Sequence, residues 1–210
     1  MMLFNKGYDE NQKYINSINL IKTNIKDKLS TQKSFSILIT SSKRNEGKTT
    51  VAMQLALSLA KENKKVLLMD CDLKNSNLND LIEERYEKKG LSEVVMNKME
   101  LLEGICKYND NLDILFAGNC ANNSFDILED SKIDHILHKC NQIYEYIIID
   151  STDLVSVADT RVLLSKVDGI VLVAKYNTTR RRDILKCKKI LANYNEKLLG
   201  VVINMNKWGN

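Results

Sequence analysis

The stretch SSKRNEGKTT, residues 41–50, ends in Gly47-Lys48-Thr49 and follows the apolar run FSILIT (35–40). That ending suits a phosphate loop between a strand and a helix. Backbone N–H groups and the helix start face an anion, a lysine neutralises β- and γ-phosphate oxygens, and a hydroxyl binds Mg²⁺. Ser42 stands where the general pattern opens with glycine. Ser42, Lys43, Arg44, Asn45, Glu46, Gly47, Lys48, Thr49 and Thr50 are thus the candidate nucleotide contacts. A Gly-Lys-Thr opening an ordinary helix is common, so the tripeptide needs further residues beside it. Asp70-Cys71-Asp72 supplies two carboxylates at the end of the run KVLLMD (65–70), and Asp150 ends YIIID (146–150) in the place of a magnesium-supporting carboxylate. A lone strand-end aspartate is often a helix N-cap. Three in order after such a loop point to nucleotide binding.

Strands and helices must carry these residues to one place. Continuous apolar runs at 35–40, 65–70, 112–118, 146–150, 169–176 and 198–204 read as strands buried on both faces. Helical patterns lie at 49–63, 97–108, 131–144, 158–167 and 181–194, and Ile15, Ile18, Ile21, Ile25 and Leu29 mark an amphipathic helix over about 10–29. Strand alternating with helix predicts a doubly wound α/β fold of the P-loop NTPase type, mainly parallel with helices on both faces. The 210 residues suit one domain, 1–210, and show no repeat or linker.

Composition narrows the setting. A net charge of +4 gives no signature of a nucleic-acid binder, and no nucleic-acid partner is expected. Five scattered cysteines and two histidines offer no zinc pattern, which fits a reducing, cytoplasmic environment. His135 and His138 share one helical face and read as exposed polar residues. The sequence start turns polar after four residues, unlike a signal peptide, and no apolar run reaches the ~18 residues that span a bilayer. With no proline, turns must come from Asn, Asp, Ser and Lys.

Taken in order, these motifs resemble the bacterial tyrosine kinase family of capsular and exopolysaccharide systems, within the Walker-type ATPases related to MinD and ParA. TSSKRNEGKTT (40–50) matches the family loop except for Arg44-Asn45 in place of Pro-Gly; LLMDCDLK (67–74) matches its second motif with Lys74 for Arg; IIIDSTD (147–153) matches the third without its two prolines. GLSEVV (90–95), FAGNCANNSFDIL (116–128), VADTRVLLSKVDGIVLV (157–173) and LLGVVIN (198–204) extend the likeness over about residues 15–204. The resemblance implies an ATP- and Mg²⁺-dependent protein-tyrosine kinase that regulates polysaccharide biosynthesis. It implies Lys48, Asp70 and Asp72 as catalytic residues, with Asp72 the base toward the tyrosine hydroxyl. Thr49, Asp72 and Asp150 would hold the metal, and Asn204 would lie near the adenine. The implied partners are protein-tyrosine substrates and the cytoplasmic end of a membrane chain-length regulator, which would hold the protein at the inner face of the membrane.

Two family features are altered. Asn16, Asn19 and Lys22 replace the three charged residues of the ring-assembly motif, leaving homo-oligomerisation open, and no tyrosine follows Tyr194. An ATP-binding regulatory module with weak or no turnover is therefore the alternative, and a positioning ATPase, suggested only by Lys43, is a third. Lys43 itself reads more simply as a solvated loop lysine. NTTRRRDILKCKKI (177–190) reads as a solvated basic helix face, and Cys71 between two carboxylates as a packing residue.

Overall fold

The protein is represented by a computed structural model, which describes residues 8–28, 33–82, 89–120 and 123–204. Its strands are β1 (Phe35–Ser41), β2 (Val66–Asp70), β3 (Ile105–Lys107), β4 (Leu112–Leu115), β5 (Tyr146–Asp153), β6 (Gly169–Lys175) and β7 (Leu198–Asn204). They form a sheet in the order β3-β4-β2-β5-β1-β6-β7. All neighbouring pairs are parallel except β3 with β4. This is the expected doubly wound, mainly parallel α/β fold.

Helices cover both faces, as the double-sided apolar strands require. On one face, α1 (Tyr8–Lys28) and α2 (Lys48–Ala60) pack Ile18, Ile21, Ile25, Val51 and Leu55 against Ile37, Ile39, Leu68 and Ile148. On the other, Leu38, Leu67, Ile147 and Ile149 meet α7 (Lys132–Asn141) and the segments after β5 and β6. Alternate residues of one strand thus serve opposite cores, the period-two geometry of a strand. In α1 the buried Ile18, Ile21 and Ile25 bear out the amphipathic pattern. Leu29 lies outside the described residues, as does the side chain of Ile15.

The segment 97–108, expected to be one helix, is not. It holds the short α5 (Leu101–Gly104) followed by β3, where Ile105 and Cys106 pair antiparallel with Leu115 and Ile114. Sheet pairing at a free edge outweighs a local helical pattern that Gly104 already weakens. Further short helices are α3 (Leu78–Leu81), α4 (Leu91–Val95), α6 (Ser124–Glu129) and α8 (Asp159–Leu163). The last helical pattern divides into α9 (Arg181–Ile190) and a 3₁₀ turn at Leu191–Lys197. His135 and His138 are both exposed on α7, as expected. Arg180, Arg181, Arg182, Lys186, Lys188 and Lys189 are exposed at or on α9, which bears out the solvated basic face.

Candidate active site

β1 delivers the phosphate loop to the C-terminal edge of the sheet, and α2 begins at Lys48. Two left-handed residues shape the loop, Asn45 at φ 60° and Gly47 at φ 90°. Asparagine adopts that region more readily than most side chains, so Asn45 serves where the resembling family has glycine. No side chain caps α2 and its first turn holds no acidic residue. Its leading N–H groups remain available to an anion.

Glu46 organises the loop from within. It is 2% exposed, and its carboxylate accepts from Ser42 N at 2.9 Å, Lys43 N at 3.1 Å and the Ser42 hydroxyl at 3.0 Å. The Thr179 hydroxyl, just before α9, donates to it as well. Asn204, at the end of β7, donates from Nδ2 to Glu46 O at 3.0 Å. Lys43 is half-exposed and bonded through Nζ to Asp183 Oδ2 of α9 at 2.7 Å. It is an exposed loop lysine, as expected, and is in addition paired within its own chain. Arg44 and Asn45 are exposed at the loop tip, and Thr50 is exposed in the first turn of α2.

The carboxylates stand on neighbouring strands. Asp70 and Asp150 are register partners on β2 and β5, and Cys71 N donates to Asp150 O at 2.8 Å. Asp70 accepts from Asp72 N at 2.9 Å and from the Ser76 hydroxyl at 2.5 Å. Burial pushes its carboxyl well above the ordinary carboxylate range, and the Asp150 charge adds to the shift. Burial also raises Asp150, against a hydrogen bond from Thr49 and the Lys48 charge. Asp72 is half-buried; desolvation raises it, while a backbone bond from Asn75, Lys48 and Arg44 hold it back. Burial likewise raises the Cys71 thiol, with the three aspartates adding to it, and Cys71 lies in the core as expected.

Lys48, Thr49, Asp70, Asp72 and Asp150 therefore meet at the sheet's C-terminal edge, where open α/β sheets build their sites. Asn204 joins them through the loop backbone. A buried acceptor is open to a cation here: Asp150 Oδ1, like Asp153 Oδ2 farther along β5, has no hydrogen-bond partner among the described residues. Among those residues no three His, Cys, Asp or Glu side chains form a closed metal cage. Magnesium needs none, since it takes one or two carboxylates and completes its shell with water and phosphate oxygens. Thr49, Asp150 and Asp72 fit that demand.

Lys74, at the arginine position of the second motif, lies 3.6 Å from the buried Asp159 of α8, which also accepts from the Ser124 hydroxyl, so the second motif is tied to α6 and α8; Asp159 and Ser124 had no assigned role in the sequence. Ser76, Thr179 and Asp153 were missed too. The loss of proline after Asp150 was the only local signal for Asp153.

A family model described as an AAA domain matches residues 34–200. Tyrosine-protein kinase CpsD of Streptococcus pneumoniae serotype 4 is 32% identical over 197 residues, covering 91% of this chain and 86% of that protein. Tyrosine-protein kinase YwqD of Bacillus subtilis is 31% identical over 190 residues, covering 89% of this chain and 79% of YwqD. Among solved structures, the VpsO kinase domain superposes with a TM-score of 0.80 at 29% identity, covering 96% of this chain and all of that one. Motif order, site geometry and these matches agree: the chain belongs to the family of bacterial tyrosine-protein kinases, built on an AAA domain.

Proposed function

We propose that the protein is an ATP- and Mg²⁺-dependent protein-tyrosine kinase regulating capsular or exopolysaccharide biosynthesis. The carrying observation is the convergence of Lys48, Thr49, Asp70, Asp72 and Asp150 on one sheet edge beside a loop of phosphate-binding shape. Phosphoryl transfer asks mainly for positioning and charge neutralisation, which such a set can supply. Lys48 would bind the β- and γ-phosphates together with the leading amides of α2. Asp72 is the base of choice, because it is half-buried, whereas Asp70 is closed in by Asp72 N and Ser76. Desolvation keeps its affinity for a proton above that of an exposed aspartate, which favours accepting one from the tyrosine hydroxyl. Magnesium, when bound through Thr49 and Asp150, would spread the charge developing on the phosphates.

Among the described residues no helix is long and apolar enough to cross a membrane. Membrane association would then run through a partner, and the cytoplasmic end of a membrane chain-length regulator is the proposed one. Labelled ATP, magnesium, that activator and a tyrosine substrate test the reading. Wild type should form phosphotyrosine and Lys48→Ala should not. Magnesium-dependent ATP binding without phosphotyrosine would favour a regulatory module instead, and equal background label from both proteins would reject kinase activity.

A further inference from the structure

β5 does not end at Asp150, where the sequence pattern placed its last residue; it continues through Ser151 and Thr152 to Asp153. The pairing with β1 slips within this extension, because Ile39 lies opposite Asp150 while Ser41 lies opposite Asp153. Two steps on β1 match three on β5, so β5 carries one extra residue, as in a β-bulge. Side chains alternate faces along a regular strand, and one extra residue shifts that phase. The slip sets Asp153 opposite Ser41, the last residue of β1. Bulges often re-aim a side chain beside an active site.

The Asp153 side chain is half satisfied. Asp153 is 0% exposed; its Oδ1 accepts from Ser156 N at 2.7 Å, closing the turn after β5. Its Oδ2 is buried with no hydrogen-bond partner among the described residues, and Asp150 Oδ1 is the other such side-chain atom there. Burying a carboxylate oxygen without a donor is costly, and the cost is removed if a ligand brings one. The neighbourhood indicates where the ligand would be. Ser41, the register partner of Asp153, opens the phosphate loop, and Leu154 N donates to Ser41 O at 2.8 Å. The Asp153 charge acts on Asp72 and also on Cys187 of α9. An acceptor with no internal donor therefore lies beside the start of the phosphate loop, within electrostatic reach of Asp72.

We propose that Asp153 is a further binding residue of the site, whose Oδ2 accepts a hydrogen bond from a water molecule of the magnesium ion that enters with the nucleotide. The proposal rests on the magnesium-nucleotide reading above. Asp153 acts through water rather than as a direct ligand, so it is a positioning residue for the cation. Outer-shell partners of this kind commonly change metal affinity by about 10–100-fold when removed.

Asp153→Asn separates this role from a structural one. The amide oxygen still accepts from Ser156 N, while the free acceptor and its charge are lost. ADP binding is measured by calorimetry without magnesium and across a magnesium titration, with the melting temperature of the ligand-free protein recorded beside it. Expected are ADP affinity without metal that is unchanged or slightly higher, and a magnesium midpoint raised about 10-fold or more. A magnesium midpoint equal to wild type overturns the proposal, whether or not the melting temperature falls. If Asp153→Asn does not fold, Asp153→Ser offers a hydroxyl acceptor to the turn and undergoes the same titration with the same two outcomes. Failure of wild type to bind ADP with magnesium at all would strike the nucleotide reading, which this experiment distinguishes from a loss confined to Asp153.

Discussion

Lys43 Nζ lies 2.7 Å from Asp183 Oδ2, joining the phosphate loop to α9 across 140 residues of sequence. Thr179, four positions before Asp183, holds Glu46 from the same side. Two contacts from one segment thus fix the loop's outer wall. Asp183→Asn should loosen the loop and weaken nucleotide binding, with a larger effect at low salt than at high salt because Lys43 is half-exposed. Calorimetry at two salt concentrations checks this. Since the Lys43 ammonium is engaged within its own chain, Lys43→Ala should leave any ATP-driven dimer intact. Light scattering that shows a dimer lost in Lys43→Ala would instead support a positioning ATPase.

Gly47 and Asn204 are in close contact. A Cβ on Gly47 would come 1.8 Å from Asn204 Nδ2, at a φ of 90° that already strains any L side chain. Gly47→Ala should lower stability by about 1–3 kcal/mol, with about 2–4 °C of melting temperature lost per kcal/mol, and should abolish nucleotide binding. Adding Asn204→Ala removes the collision but not the strained φ, so the double variant should regain only part of the loss. Full recovery in the double variant would show that backbone strain at Gly47 is unimportant.

Asp70 and Asp150 predict a pH dependence whose sign is fixed by their raised pKa values. The folded state holds these protons more tightly than the unfolded chain does. The stabilising contribution is full below the unfolded pKa and is lost as pH rises through the folded one. The ligand-free protein should therefore melt at a higher temperature near about pH 5.5 than near about pH 8. Magnesium-nucleotide binding should release protons, readable by calorimetry in buffers of different ionisation enthalpy. Asp70→Asn should flatten the pH dependence, raise the melting temperature at the higher pH and lose activity. A melting temperature that climbs with pH over this range contradicts the assignment.

The sequence alone determined the loop, its flanking strand and helix, the carboxylates at 70, 72 and 150, and their order along an α/β chain. Each is a local pattern: a run of apolar residues long enough for a strand, a glycine where φ turns positive, a charge at a strand end. Such features are set by residues a few positions apart, so neighbouring letters suffice to reveal them. Tertiary structure decided the rest. Ile105 and Cys106 became a strand because β4 offered them an edge. Asp183 became a loop partner because β6 and α9 bring it beside Lys43, and Glu46 became the organiser because Thr179 and Asn204 arrive from other strand ends. Asp153 came to stand opposite Ser41 because β5 carries one residue more than β1 at that point. Register and packing across a sheet depend on contacts between residues far apart in sequence, and a one-residue slip changes which face a side chain meets.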